Sequence, residues 1–185
     1  MHRSGRIVAG LVAGLIAVVV VRGGCGGGVS VGDLKKVTLA GITVELPGTP
    51  EPLEIPIPPE IRNRVVSMES YQKVKRTFMA AVSRVTYTPD VQASVDGALD
   101  GSISNVMTAQ HLAKRSEQRT PTTVSGIDGK RYSVVFTKAG DEFEMRGVIA
   151  AKGSRLWNVF SFFKRSDSRS QDVAARIVDS VELLP

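Results

Sequence analysis

Arg155-Leu156-Trp157-Asn158-Val159-Phe160-Ser161-Phe162-Phe163 is the stretch that decides the fold. In an extended chain, successive side chains point to opposite faces. Leu156, Phe160 and Phe162 then share one face, and Trp157, Val159 and Phe163 share the other. A strand that is apolar on both faces is covered on both and sits centrally in its sheet. Upstream, Glu142 to Ala150 sets Phe143, Met145 and Ile149 against Glu142, Glu144 and Arg146, the period-two pattern of a half-buried strand. Arg131 to Phe136 is another strand. Lys138-Ala139-Gly140-Asp141 and Lys152-Gly153-Ser154 are the turns of a three-strand meander.

The same reading extends outward. Ser166 to Ser170 offers helix caps, and Val173, Ala174, Ile177 and Val181 form the apolar stripe of a closing helix. Before the meander, Thr120 to Val124 reads as a short strand and Ser125-Gly126-Ile127-Asp128-Gly129 as a turn. Thr88-Pro89-Asp90 signals a helix start, with Thr88 as N-cap. Val91, Val95, Leu99, Ile103, Val106 and Met107 then place an apolar stripe on a helix that runs to about Ala113. Val65 to Tyr71 and Phe78 to Tyr87 suit strands joined by a loop at Gln72 to Arg76, and Val37 to Leu39 and Ile42 to Leu46 suit another pair. Pro50, Pro52, Pro56, Pro58 and Pro59 cannot donate a full hydrogen-bond ladder, so this run is an extended edge or loop. These elements predict an α+β fold, an antiparallel β-sheet with helices packed on it.

The order of elements resembles the PsbP-like fold, an α/β/α sandwich around an antiparallel sheet. The resemblance covers residues 37 to 184 and is carried by Val44-Glu45-Leu46-Pro47-Gly48-Thr49-Pro50, the long helix, the meander and Asp179-Ser180-Val181. Photosystem oxygen-evolving-complex subunits, a yeast Ran-binding protein and many bacterial lipoproteins of unknown function share that fold. The resemblance implies an architecture and no common catalytic set.

The first 28 of the 185 residues set the expected address. Arg3 and Arg6 precede an apolar or Gly run from Ile7 to Val21, followed by Arg22-Gly23-Gly24-Cys25. A helix of that length spans roughly 22 Å, short for a bilayer core of about 30 Å and long for a signal-peptide core. Gly23-Gly24-Cys25 matches the end of a lipoprotein box, with Arg22 where an aliphatic residue belongs, so Cys25 is the lipidation candidate. An uncleaved anchor and simple secretion are the alternatives, and all three place the remainder outside the cytoplasmic membrane. The expected organisation is a signal peptide or anchor at 1–25, a flexible tether at 26–36 and one domain at 37–185. Cys25 is the only cysteine, so stability rests on the core rather than on an internal disulfide.

The net charge of +6 points less to nucleic acid than it first suggests. Arg3, Arg6 and Arg22 precede Cys25 while all 18 acidic residues follow it, which leaves a balance of +3. Lys114-Arg115, Lys130-Arg131 and Lys164-Arg165 are spread among the elements rather than gathered in one run, and aromatics are few. Nucleic acid is therefore not an expected partner.

No catalytic, cofactor or metal set is expected. The two histidines are His2, inside the signal, and His111, a surface residue. Asp96 and Asp100 lie on one helix face as exposed, mutually repelling charges. Ser70/Lys73 and Ser161/Lys164 have Ser-x-x-Lys spacing, but the catalytic version places the serine at a helix start and both of these fall at strand ends. The expected function is that of a non-enzymatic, monomeric, membrane-tethered extracytoplasmic domain that binds a protein partner or maintains the envelope. The alternatives are a small-ligand carrier or sensor with a cavity between the long helix and the sheet, lined by Met107, Phe143 or Phe160, and a hydrolase with an unrecognised site, against which the lack of a usable histidine weighs.

Overall fold

The computed structural model describes residues 8–9 and 28–184. Cys25 and most of the signal segment lie outside the described residues. In chain order the strands are β1 (Val8–Ala9), β2 (Leu34–Leu39), β3 (Ile42–Pro47), β4 (Glu51–Pro52), β5 (Val65–Lys75), β6 (Phe78–Tyr87), β7 (Gln92–Ala93), β8 (Ala113–Val124), β9 (Ile127–Lys138), β10 (Asp141–Lys152), β11 (Arg155–Lys164) and β12 (Glu182–Leu183). The helices are α1 (Val95–Gln110) and α2 (Ser168–Asp179). Seven strands form the main sheet in the order β4-β5-β6-β11-β10-β9-β8, antiparallel throughout. A small sheet, β12-β3-β2, stands apart from it, and β1 pairs in parallel with β7.

β11 occupies the middle of the seven strands, as its two apolar faces require. Leu156 and Phe160 enter a core with α1, through Leu99, Ile103 and Val106. Trp157, Val159 and Phe163 enter a second core with α2 and the small sheet, through Val173, Ile177, Ile42 and Leu46. The domain is therefore layered, with α1 on one face of the sheet and α2 with β12-β3-β2 on the other. The β8–β9 and β9–β10 hairpins close through Ser125-Gly126 and Ala139-Gly140, each pair with positive φ at both residues, the geometry that matches strand twist.

Four expectations change. First, α1 does not start at Thr88. Tyr87 and Ala93 donate backbone hydrogen bonds to Ser154 and Gly153, and Val91 and Ala93 are buried in the α1-side core. Those contacts hold residues 87–93 out of the helix, and Ser94 is the N-cap, its Oγ accepting from Gly97 N at 3.1 Å. The helix ends at Gln110, with His111 as a left-handed cap.

Second, β8 has twelve residues rather than five. It is an edge strand whose exposed, charged side chains give no apolar alternation. Its partner β9 likewise starts at Ile127, earlier than expected, because Ser125-Gly126 alone makes the turn. Third, β5 runs on to Lys75, since Lys73 and Lys75 find partners in Glu51 and Asp33 and the turn needs only Arg76-Thr77. Fourth, the expected tether at 26–36 is ordered well before residue 37. Val29 is buried against the α2-side core and β2 begins at Leu34.

Candidate functional site

The polar spacings read from the sequence resolve into structure. Ser70 and Lys73 are three apart on a strand, so they face opposite sides of the sheet, and the same parity separates Ser161 from Lys164. Neither pair brings an amine to a hydroxyl. Asp96 and Asp100 are not left to repel each other. Arg119, on the edge strand β8, bridges both carboxylates, and Lys130 holds Asp96 at 2.6 Å. The hydrogen bond from Lys130, with Arg119 beside it, keeps the Asp96 carboxyl below the usual carboxylate range. Among the described residues, no group of three His, Cys, Asp or Glu side chains converges as a metal site would need.

The cavity candidates sit together on the α1 side. Phe160 is buried in that core, and Met107 and Phe143 pack against it. Phe143 also stacks on Phe162 with ring centroids 5.7 Å apart.

Two surface features remain. The first is a groove of about 610 Å³ beneath the proline-rich strap. Pro52 to Ile57 form one wall and Met68 to Tyr71 the other. The strap is held by β4, which pairs with Tyr71 and Gln72 on the outer edge of β5, and by Leu53 N–H donating to Ser70 O at 2.8 Å. Ile57 and Ile61 pin its far end to the α1-side core. Ser70 lines the groove, and its Oγ is buried with no hydrogen-bond partner among the described residues; Gln72 Oε1, outside the lining, is likewise buried without one.

The second feature is a basic end of the sheet, which the register assembles. Lys75 pairs with Phe78, Phe78 with Phe163, Phe163 with Glu144, Glu144 with Val135 and Val135 with Ser116. Beyond that row lie Arg76, Lys114, Arg115, Lys138, Lys164 and Arg165. Arg169, in the first turn of α2, follows from the same end. Some of these cations are neutralised, Lys114 by Glu117 at 2.7 Å, Lys164 by Asp141 at 2.7 Å and Arg165 by Glu142 at 3.0 Å, with Arg115 also on Glu142. Among the described residues, no carboxylate lies in ion-pair range of Arg76, Lys138 or Arg169. The described chain also enters here, because Asp33 is bound to Lys75 at 2.8 Å and Leu34 pairs with Pro47. Sequence reading saw these basic pairs as scattered, since only the strand register brings them to one end.

The solution structure of cyanobacterial PsbP from Synechocystis sp. aligns with 86% of this chain and 98% of its own, at a TM-score of 0.53 and 10% sequence identity. This is a PsbP-like fold. Two other solved structures align more loosely. One is LpqN of Mycobacterium tuberculosis, described as involved in cell envelope biogenesis, with 82% of this chain and 83% of its own at a TM-score of 0.42 and 11% identity. The other is a Bacteroides thetaiotaomicron protein, with 83% of this chain at a TM-score of 0.43 and 9% identity. This chain spans about half the length of the Bacteroides protein, 48% of it. No family model and no curated protein matches the sequence. The PsbP-like fold establishes the layers and not the chemistry, so the groove and the basic end carry the functional argument.

Proposed function

We propose that this chain is a non-enzymatic, membrane-tethered extracytoplasmic domain that binds a segment of a protein partner, with envelope maintenance as its setting. The tether is supported by the basic, then apolar, then Cys25-bearing start of the sequence. Binding is supported above all by the groove under the proline strap. It runs along the outer edge of β5, where Leu53 already adds an extended backbone to Ser70. Pro52, Pro56, Pro58 and Pro59 give that edge no N–H of their own. An extended segment of a partner lays alternate apolar side chains against Leu53, Ile55 and Ile57 in the groove, so side-chain contact rather than a backbone ladder holds it. A second reading, a small-ligand carrier using the same groove, is favoured by the buried Ser70 Oγ, which has no hydrogen-bond partner among the described residues.

A photo-crosslinking residue at Ile55 or at Lys152 of the full chain, in native membranes, tests both. The expected outcome is a discrete protein adduct from Ile55 that Lys152 does not form. A low-mass adduct at Ile55 selects the carrier reading. No adduct at Ile55, or the same adducts at both positions, removes the groove from consideration. Recovery of the chain in the soluble fraction sinks the tether.

A further inference from the structure

The geometry points to the basic end of the sheet as a face that seats on anionic lipid headgroups. This rests on the tether proposed above and deepens it, because it says how the domain stands on its membrane. Three observations carry it. First, the strand register gathers Arg76, Lys138 and Lys164-Arg165 from three separate connections, with Lys114-Arg115 at the start of β8. Second, Arg76 and Arg169 face no carboxylate among the described residues, and Lys138 is held there only by the Gln110 carbonyl at 2.7 Å, so their charge is not neutralised by an ion pair and acts on an outside anion. Third, residues 28–33 enter the domain at this same end, tied down by Asp33 on Lys75.

A chain attached through a lipidated Cys25, three residues before Gly28, therefore presents this end, and not the Ser125-Gly126 and Gly153-Ser154 turns at the other, to the bilayer, and Val8–Ala9, which pair with β7 beside Gly153, are cleaved away in that form. Basic groups near a negative leaflet surface are attracted over about a Debye length, roughly 8 Å at physiological salt. A short tether keeps the cations within that range. The excess positive charge of the domain is small, and its concentration at the tethered end turns a weak average into an orientation.

Hydrogen exchange of the full chain in nanodiscs tests this. One set of discs holds phosphatidylcholine alone and the other holds phosphatidylcholine with phosphatidylglycerol. Amides of Arg76-Thr77, Ala139-Gly140 and Arg165-Ser166 are expected to exchange more slowly in the phosphatidylglycerol discs. Those of Ser125-Gly126 and Gly153-Ser154 are expected not to change. The difference should vanish in 1 M salt, where screening shortens to roughly 3 Å. It should also be lost in an Arg76→Glu, Lys138→Glu, Arg169→Glu variant whose circular dichroism and melting match the parent.

Equal exchange in both discs, or protection at both ends of the sheet, overturns the inference and leaves the tether standing. Protection that appears in neutral discs on adding a soluble polyphosphate, and not with phosphatidylglycerol, overturns it in favour of an anionic polymer. A chain that enters neither disc overturns the tether and this inference together.

Discussion

Gly147 is the residue on which the middle of the α1-side core depends. It lies on β10 between Tyr132 of β9 and Phe160 of β11. The Tyr132 hydroxyl reaches across it to donate to Asn158 Oδ1 at 2.9 Å, a buried polar pair inside an apolar layer. A Cβ at position 147 would meet Val159 O at 2.5 Å, Phe160 Cβ at 2.7 Å and Tyr132 Oη at 2.7 Å. Gly147→Ala is therefore expected to cost about 3 kcal/mol, read as a lower urea midpoint, because backbone and core must both move. A loss below about 0.5 kcal/mol would show that the strand yields easily.

The same pair gives an alkaline limit. Burial raises the Tyr132 and Tyr87 hydroxyls above their ordinary value of 10.0. The folded state thus holds these protons more tightly than the unfolded chain does. Their contribution is complete below about pH 10 and is lost as pH rises toward the folded-state values. Tyr132→Phe should lower stability at neutral pH by about 1–3 kcal/mol, since Asn158 Oδ1 loses its donor. It should also flatten the fall in urea midpoint above about pH 10. A slope equal to that of the parent would remove Tyr132 from this account.

At the scale of elements, the α1 start separates local preference from tertiary demand. Thr88-Pro89 is a sound start signal, yet the hydrogen bonds of Tyr87 and Ala93 to the 153–154 turn claim that segment. Ser94→Ala should cost about 1 kcal/mol, and Thr88→Ala clearly less, in a thermal melt of each variant. The reverse order would restore the start at Thr88. This contrast explains what was legible in the sequence. β11 and α2 were readable because burial writes itself as apolar faces in the chain, with Leu156 and Phe160 against Trp157 and Phe163, and Val173, Ala174 and Ile177 in one stripe. β8 was not readable, because a solvent-facing edge strand such as Lys114-Arg115-Ser116-Glu117 carries charge rather than alternation. The proline run was legible as an edge, but its groove arises from Leu53 meeting Ser70, seventeen residues apart, which no local pattern records. The Asp96–Arg119–Lys130 cluster was missed for the same reason.

Across the whole molecule, one sheet serves two cores, and that decides how the domain unfolds. β11 sends Leu156 and Phe160 to the α1 side and Trp157, Val159 and Phe163 to the α2 side. Neither layer can open without exposing a face of the same strand. β6 repeats the arrangement, with Met79, Ala81 and Val85 on one side and Phe78, Ala80 and Val82 on the other. A single cooperative transition is expected for a domain of this size with a shared central strand. Trp157 is the only tryptophan and lies in the α2-side core, so its fluorescence reports that layer alone. Far-ultraviolet circular dichroism reports the sheet and both helices. In urea, the two signals should give the same midpoint and slope. Ile177→Ala, which empties part of the α2-side core, should move both together by about 3 kcal/mol. If the tryptophan signal moved and the dichroism stayed, the two cores would be separate folding units and the shared strand would not couple them.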